Sequence, residues 1–174
     1  IINWRSHDRP PLISFIILPT ITTTNGYFAL ILIKLLMITI SAITVIILYF
    51  LSLEVTKNYK ISLLVSLIFC FYPYSIFIST RLYTENLAAL LICLISLFLT
   101  KFFRDHKSKF LIIASFMMGL LSLTRSSYFY LPFFVSILIF FINTNFIKKI
   151  LFIMKVFLIF FITLSPWIIK NYIQ

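Results

Sequence analysis

Glycine is nearly missing from this chain: its 174 residues carry two, Gly26 and Gly119. A loop that cradles phosphates needs clustered glycines, so a nucleotide-binding loop is excluded, as is a paired-glycine helix dimer motif. Acid is almost as scarce, with four Asp and Glu against 15 Lys and Arg and a formal net charge of +11. His7 and His106 fall in separate polar segments, and Cys70 and Cys93 have no companions at metal-ligand spacing, so no metal centre is spelled out. Cys70 lies 11 residues before Arg81 and Cys93 12 residues after it. A helical hairpin would set both at similar depth, where they read as small apolar core residues. The chain begins Ile1-Ile2-Asn3-Trp4, without an initiator Met, a cationic leader or a cleavage site. The expectation is an internal piece of a longer protein, truncated at both ends.

What the chain has in excess is hydrocarbon. Hydrophobic residues make up 62% of it, 21 positions are Phe, and the mean hydropathy is +1.13. A soluble domain of this size cannot hide so much apolar surface, so the surrounding solvent is lipid. The cations form no basic face and lie in short gaps between apolar runs, which argues for membrane topology and against a nucleic-acid partner. The predicted fold class is an all-α, polytopic transmembrane bundle of about six spans with an N-terminal interfacial helix.

Residues 1–10 are polar and precede Pro10-Pro11. The apolar run 12–18, stopped by Pro19, is too short to cross ~30 Å of hydrocarbon at ~1.5 Å per residue and predicts a helix lying in the interface. Residues 1–26 therefore read as an outer-face segment and 27–174 as the helix bundle. Spans are predicted over 28–53, 61–78, 86–100, 110–124, 128–142 and 150–167. Summing the cations in alternate gaps gives eight on one side, Lys57 to Lys60, Lys101 to Lys109 and Lys148-Lys149, and five on the other: Arg5, Arg9, Arg81, Arg125 and Lys170. The richer side is cytoplasmic by the positive-inside bias. Counting residues up to Thr24 as a span would leave the later alternation unchanged and move residues 1–9 to the cytoplasm. Tyr72, Tyr74, Tyr83, Tyr128, Tyr130, Trp167 and Tyr172 then form an outer interfacial belt. Lys34 and Lys155, about two turns inside their spans, snorkel toward the nearer surface.

The most informative stretch is Ser79-Thr80-Arg81-Leu82-Tyr83-Thr84-Glu85-Asn86, a polar hinge between two apolar runs. With Thr84 as N-cap, Glu85 occupies the first turn of the next helix, where the helix dipole favours a carboxylate. Arg81 is placed to pair with Glu85; such a pair either clips the hairpin or holds a substrate. Spans 110–124 and 128–142 have 15 residues each, ~22 Å of helix, so the Arg125 turn between them should lie below the outer surface, with Ser126 capping the helix that follows. A guanidinium there either snorkels to headgroups or meets an anion. Lys170 closes the last span on the same side. Three cations gathered on one face point to an anionic ligand, and Arg suits phosphate by its two-pronged donor geometry.

Taken in order, these motifs resemble the GT-C membrane glycosyltransferases, the protein O-mannosyltransferase and aminoarabinose-transferase group. Arg9-Pro10-Pro11-Leu12 is similar to their [K/R]-P-P-L element, and Phe71-Tyr72-Pro73 through Arg81-Leu82-Tyr83-Thr84-Glu85 to their P…s…tE hairpin. Gly119-Leu120-Leu121-Ser122-Leu123-Thr124-Arg125 is similar to a G-L-x-x-L-t-R helix end. Ser165-Pro166-Trp167-Ile168-Ile169-Lys170-Asn171 is similar to a P-W-x-[R/K]-N ending, with one extra residue before the cation. The resemblance implies transfer of a sugar from a polyprenyl-phosphate carrier to an acceptor at the outer membrane face, in protein glycosylation or envelope polysaccharide assembly. It implies that Arg9 contacts the carrier phosphate, beside Arg81, Arg125 and Lys170, the cations already read as candidate ligands of an anion. It also implies a catalytic acid in a loop upstream of Ile1. Asp8 is too close to Pro10-Pro11 for that role, and Glu85 is a minor candidate. No resident cofactor is expected; a divalent metal assists some relatives, without ligands here to hold one. The implied location is a bacterial inner (plasma) membrane.

The competing reading is a non-enzymatic transporter or flippase for an anionic lipid or sugar, which could use the same outward cations. Paired midplane helix breaks would mark it, and Pro73 and Pro132 lie toward helix ends instead.

Overall fold

The computed structural model describes Leu12, Ile17, Leu18, residues 26–81 and residues 83–173. Regular structure among these residues is helical throughout: α1 (Gly26–Thr56), α2 (Tyr59–Cys70), α3 (Pro73–Ser79), α4 (Thr84–Asp105), α5 (Ser108–Ser122), a 3₁₀ turn (Ser126–Tyr130), α6 (Leu131–Phe140) and α7 (Phe146–Ile173). Tyr27–Thr56, Thr84–Asp105 and Phe146–Lys170 are each long and apolar enough to cross a membrane. The pair α2 and α3 is a bent fourth candidate or a re-entrant loop, and α5 and the stretch Ser126–Phe140 are shorter apolar helices.

Local chemistry explains where the expected runs break. The run 61–78 bends by 60° between Cys70 and Pro73. Pro73 has no N–H to give the preceding turn, and it forces Tyr72 into extended backbone (φ −67°, ψ 117°) at the start of α3. The run 128–142 is likewise not one helix. Pro132 sits in the first turn of α6, so the chain approaches it as a 3₁₀ turn and only then settles into α geometry. The charged gaps are narrower than the sequence suggests. Helix α1 runs on through Glu54 to Thr56, α4 carries Lys101 and Arg104, and α7 already holds Lys148 and Lys149.

The helix ends are closed by specific groups. Lys57 (φ 55°) and His106 (φ 53°) take the left-handed conformation that terminates α1 and α4. The Asn58 side-chain carbonyl accepts from the Lys60 N–H at 3.0 Å and caps α2. Lys149 Nζ donates to the Phe140 carbonyl at 2.9 Å, satisfying the end of α6.

Helices pack in the neighbour order α2, α1, α4, α5, α7, α6. The main core lies among the last four. Leu87, Leu91, Ile95 and Phe102 form one face of α4, Leu111, Ala114 and Met118 one face of α5, and Phe152, Val156, Phe160 and Leu164 a four-residue row along α7. The α5–α7 approach is close: a Cβ on Gly119 would stand 2.6 Å from Thr163 Cβ. Elsewhere the helices present hydrocarbon outward. Leu30, Ile46, Ile68, Phe134 and Ile162 are each more than half exposed, as suits a lipid surrounding and not water.

Candidate functional site

Two clusters of charge mark the two ends of the bundle. At one end Glu54 on α1 accepts from Lys57 at 3.0 Å and from Arg104 on α4, and Arg104 Nε also donates to Asp105 at 2.7 Å. The gaps 54–60 and 101–109 therefore share an end, as their alternation requires. Lys155 Nζ reaches Ser108 Oγ at 3.3 Å, on the side toward which snorkelling was expected.

The opposite end holds Arg81, Glu85 and Arg125 of the sequence-predicted residues. Arg125 Nη1 lies 3.4 Å from Glu85 Oε1, joining the turn after α5 to the first turn of α4 across 40 positions of sequence. Both side chains are part-exposed, so the pair contributes only about 0.2–1 kcal/mol to stability. The expected Arg81–Glu85 pair is thus replaced. Arg81 precedes α4 on a turn that carries its guanidinium away from Glu85 and over the Phe77 ring, 4.3 Å from the centroid. Two capping expectations are also corrected. The N-cap of α4 is Tyr83, which makes no side-chain capping bond, and the Thr84 hydroxyl donates to Glu85 Oε2 at 3.3 Å. Arg125 and not Ser126 occupies the cap position, and the segment it opens is the 3₁₀ turn.

Asn86 next to Glu85 does structural work that the sequence did not announce. Its buried Nδ2 donates to the Met37 carbonyl at 2.7 Å and ties the start of α4 to the first half of α1. Met37 in turn forms a small core with Ile33 and Ile17. The Leu12 N–H donates to the Leu123 carbonyl at 3.1 Å, so the segment following Pro10-Pro11 is fastened two residues before Arg125. Asp8 and Arg9 lie outside the described residues, as do residues 13–16 of the run expected to form the interfacial helix. Lys170 rests over the Trp167 ring at 5.6 Å and forms no ion pair among the described residues.

A cavity of about 710 Å³ opens between α1 and the hinge, lined by Lys34, Thr80 and Arg81 against Ile17, Ile33 and Met37. Lys34 was expected only to snorkel. The signal that marks it is its place as the one charge in the run 28–53. Among the described residues no three His, Cys, Asp or Glu side chains come together as metal ligands would. Compared with protein-family models, with curated proteins and with solved structures, the chain matches none.

Proposed function

We propose that this chain is part of an integral-membrane glycosyltransferase that moves a sugar from a polyprenyl-phosphate carrier to an acceptor at the outer membrane face. The observation that carries this reading is the Arg125–Glu85 contact, which brings two polar turns remote in sequence to one end of an apolar bundle. The Leu12–Leu123 hydrogen bond supports it further, because it ties Leu12 to the segment that leads into Arg125. Departure of a lipid phosphate is assisted by cations that neutralise charge building on the leaving oxygen, the role assigned to Arg9, Arg81, Arg125 and Lys170. In the resting site Arg125 is partnered by Glu85; an incoming phosphate competes for it, and a freed Glu85 carboxylate becomes available to the acceptor hydroxyl. The fuller topology, six crossings with Arg81, Arg125 and Lys170 outward and Lys107 and Lys148 in the cytoplasm of a bacterial inner membrane, belongs to this proposal.

The transporter alternative draws on one observation, the 60° bend between α2 and α3. Inverted repeats would need a matching break elsewhere, and Pro132 instead begins a helix. The test uses the full-length gene and a purified polyprenyl-phosphate sugar. Arg9→Ala and Arg125→Ala are each expected to lower transfer about tenfold or more with the protein still folded. Wild-type transfer in both variants rules out the phosphate role, and protein-driven movement of the lipid across vesicles without sugar transfer would favour the transporter.

A further inference from the structure

The described carboxylates are three, Glu54, Glu85 and Asp105, and every one is engaged. Glu54 and Asp105 hold Arg104 and neighbouring lysines at one end of the bundle. Glu85 holds Arg125 at the other. Lys34 and Arg81 are left facing one cavity with no carboxylate partner among the described residues. Lys34 sits eight residues into α1, ~12 Å along the helix axis, where a bare ammonium beside hydrocarbon is costly. Arg81, its guanidinium carbon 4.3 Å from the Phe77 ring centroid, still has N–H donors to offer. Thr80 adds no donor, since its hydroxyl already donates to the Phe77 carbonyl at 3.0 Å. The remaining lining, Ile17, Leu30, Ile33 and Met37, is apolar, and the volume lies within the ordinary range for a ligand pocket.

We infer that this cavity binds the phosphate of a membrane lipid, held by Lys34 and Arg81, with the lipid's hydrocarbon against Ile33 and Met37. Two cations converging on one hollow repel each other until an anion enters, and apolar walls favour an anion that carries a chain over a free one. The site lies on α1 and the hinge, apart from the Arg125–Glu85 pair on α4 and the α5 turn. It shares Arg81 with the phosphate ligands proposed above and adds Lys34, and in that respect it rests on and deepens the transferase reading. A bulk acidic phospholipid and a polyprenyl phosphate share the recognised chemistry.

The test is lipid retention by the whole chain, purified in neutral detergent and weighed by native mass spectrometry after addition of a defined lipid. Dioleoylphosphatidylglycerol is expected to be retained, dioleoylphosphatidylcholine much less, and inorganic phosphate not at all. The double variant K34Q/R81Q should lose retention about tenfold or more, and the control K148Q/K149Q should keep it. Undecaprenyl phosphate forms a second arm. If it displaces the phospholipid the cavity is a carrier site; if both stay bound or only the phospholipid binds, it is a structural lipid site, and either result upholds the lipid-phosphate assignment. Equal retention of the two dioleoyl lipids, or equal loss in both double variants, overturns it. Because no sugar transfer is measured, failure here removes only Arg81 from the transferase proposal, and failure of transfer leaves this one standing.

Discussion

Gly119 and Asn86 are the residues whose side chains, absent or present, set helix spacing. At Gly119 a methyl group would meet the Cβ and Cγ2 of Thr163 at 2.6 and 2.7 Å, and neither atom is the free end of a flexible side chain. Gly119→Ala is expected to cost about 1–3 kcal/mol through overpacking, read as a lower unfolding temperature in detergent. Adding Thr163→Gly should recover part of that loss, which an effect confined to helix propensity would not. Asn86→Ala removes a buried side-chain donor and should cost about 1–3 kcal/mol by the same measurement. Asn86→Asp should cost more, because it sets a carboxylate against the Met37 carbonyl. The Gly-Leu-Leu-Ser-Leu-Thr-Arg stretch reads from sequence as a motif. In the fold its glycine serves packing against α7, and only its arginine, 3.4 Å from Glu85, reaches the polar end.

At the level of elements, proline decides which apolar runs stay whole. Hydropathy alone cannot tell 61–78 from a continuous span, because each residue of the run still prefers lipid. The missing N–H of Pro73 and the extended Tyr72 divide it. Pro73→Ala restores a donor for the preceding turn. Spin labels at positions 61 and 79, in a background with Cys70 and Cys93 replaced by Ser, should then move apart by about 3 Å as the bend relaxes. No change in that distance would place the cause of the bend in packing instead. Pro166 sits inside α7 without ending it, so a proline marks a possible break and its neighbours decide whether one forms. The same limit applied to the caps. Thr84 and Ser126 are good capping residues by type, yet the backbone turns one residue earlier in each case, and a side chain's preference does not fix that register.

For the whole molecule, the two clusters of charge give a direct check on orientation. In the proposed topology, reporter tags at Lys107 and Lys148 give a cytoplasmic signal and a tag beside Arg81 gives an external one. Matching signals from Lys107 and Arg81 would contradict it, since α4 runs between the ends they occupy. That the chain is helical and meant for lipid follows from composition and run length alone, because apolar transfer energy sums over residues without regard to their arrangement. The shared end of the 54–60 and 101–109 gaps follows from counting cations in alternate loops, and the Glu54–Arg104 contact agrees. Partnership was beyond reach. Nothing in the order of residues says that Glu85 meets Arg125 across 40 positions while Arg81, four away, lies over Phe77. Which cation meets which anion depends on how whole helices rotate and pack, and side chains many positions apart decide that rotation together.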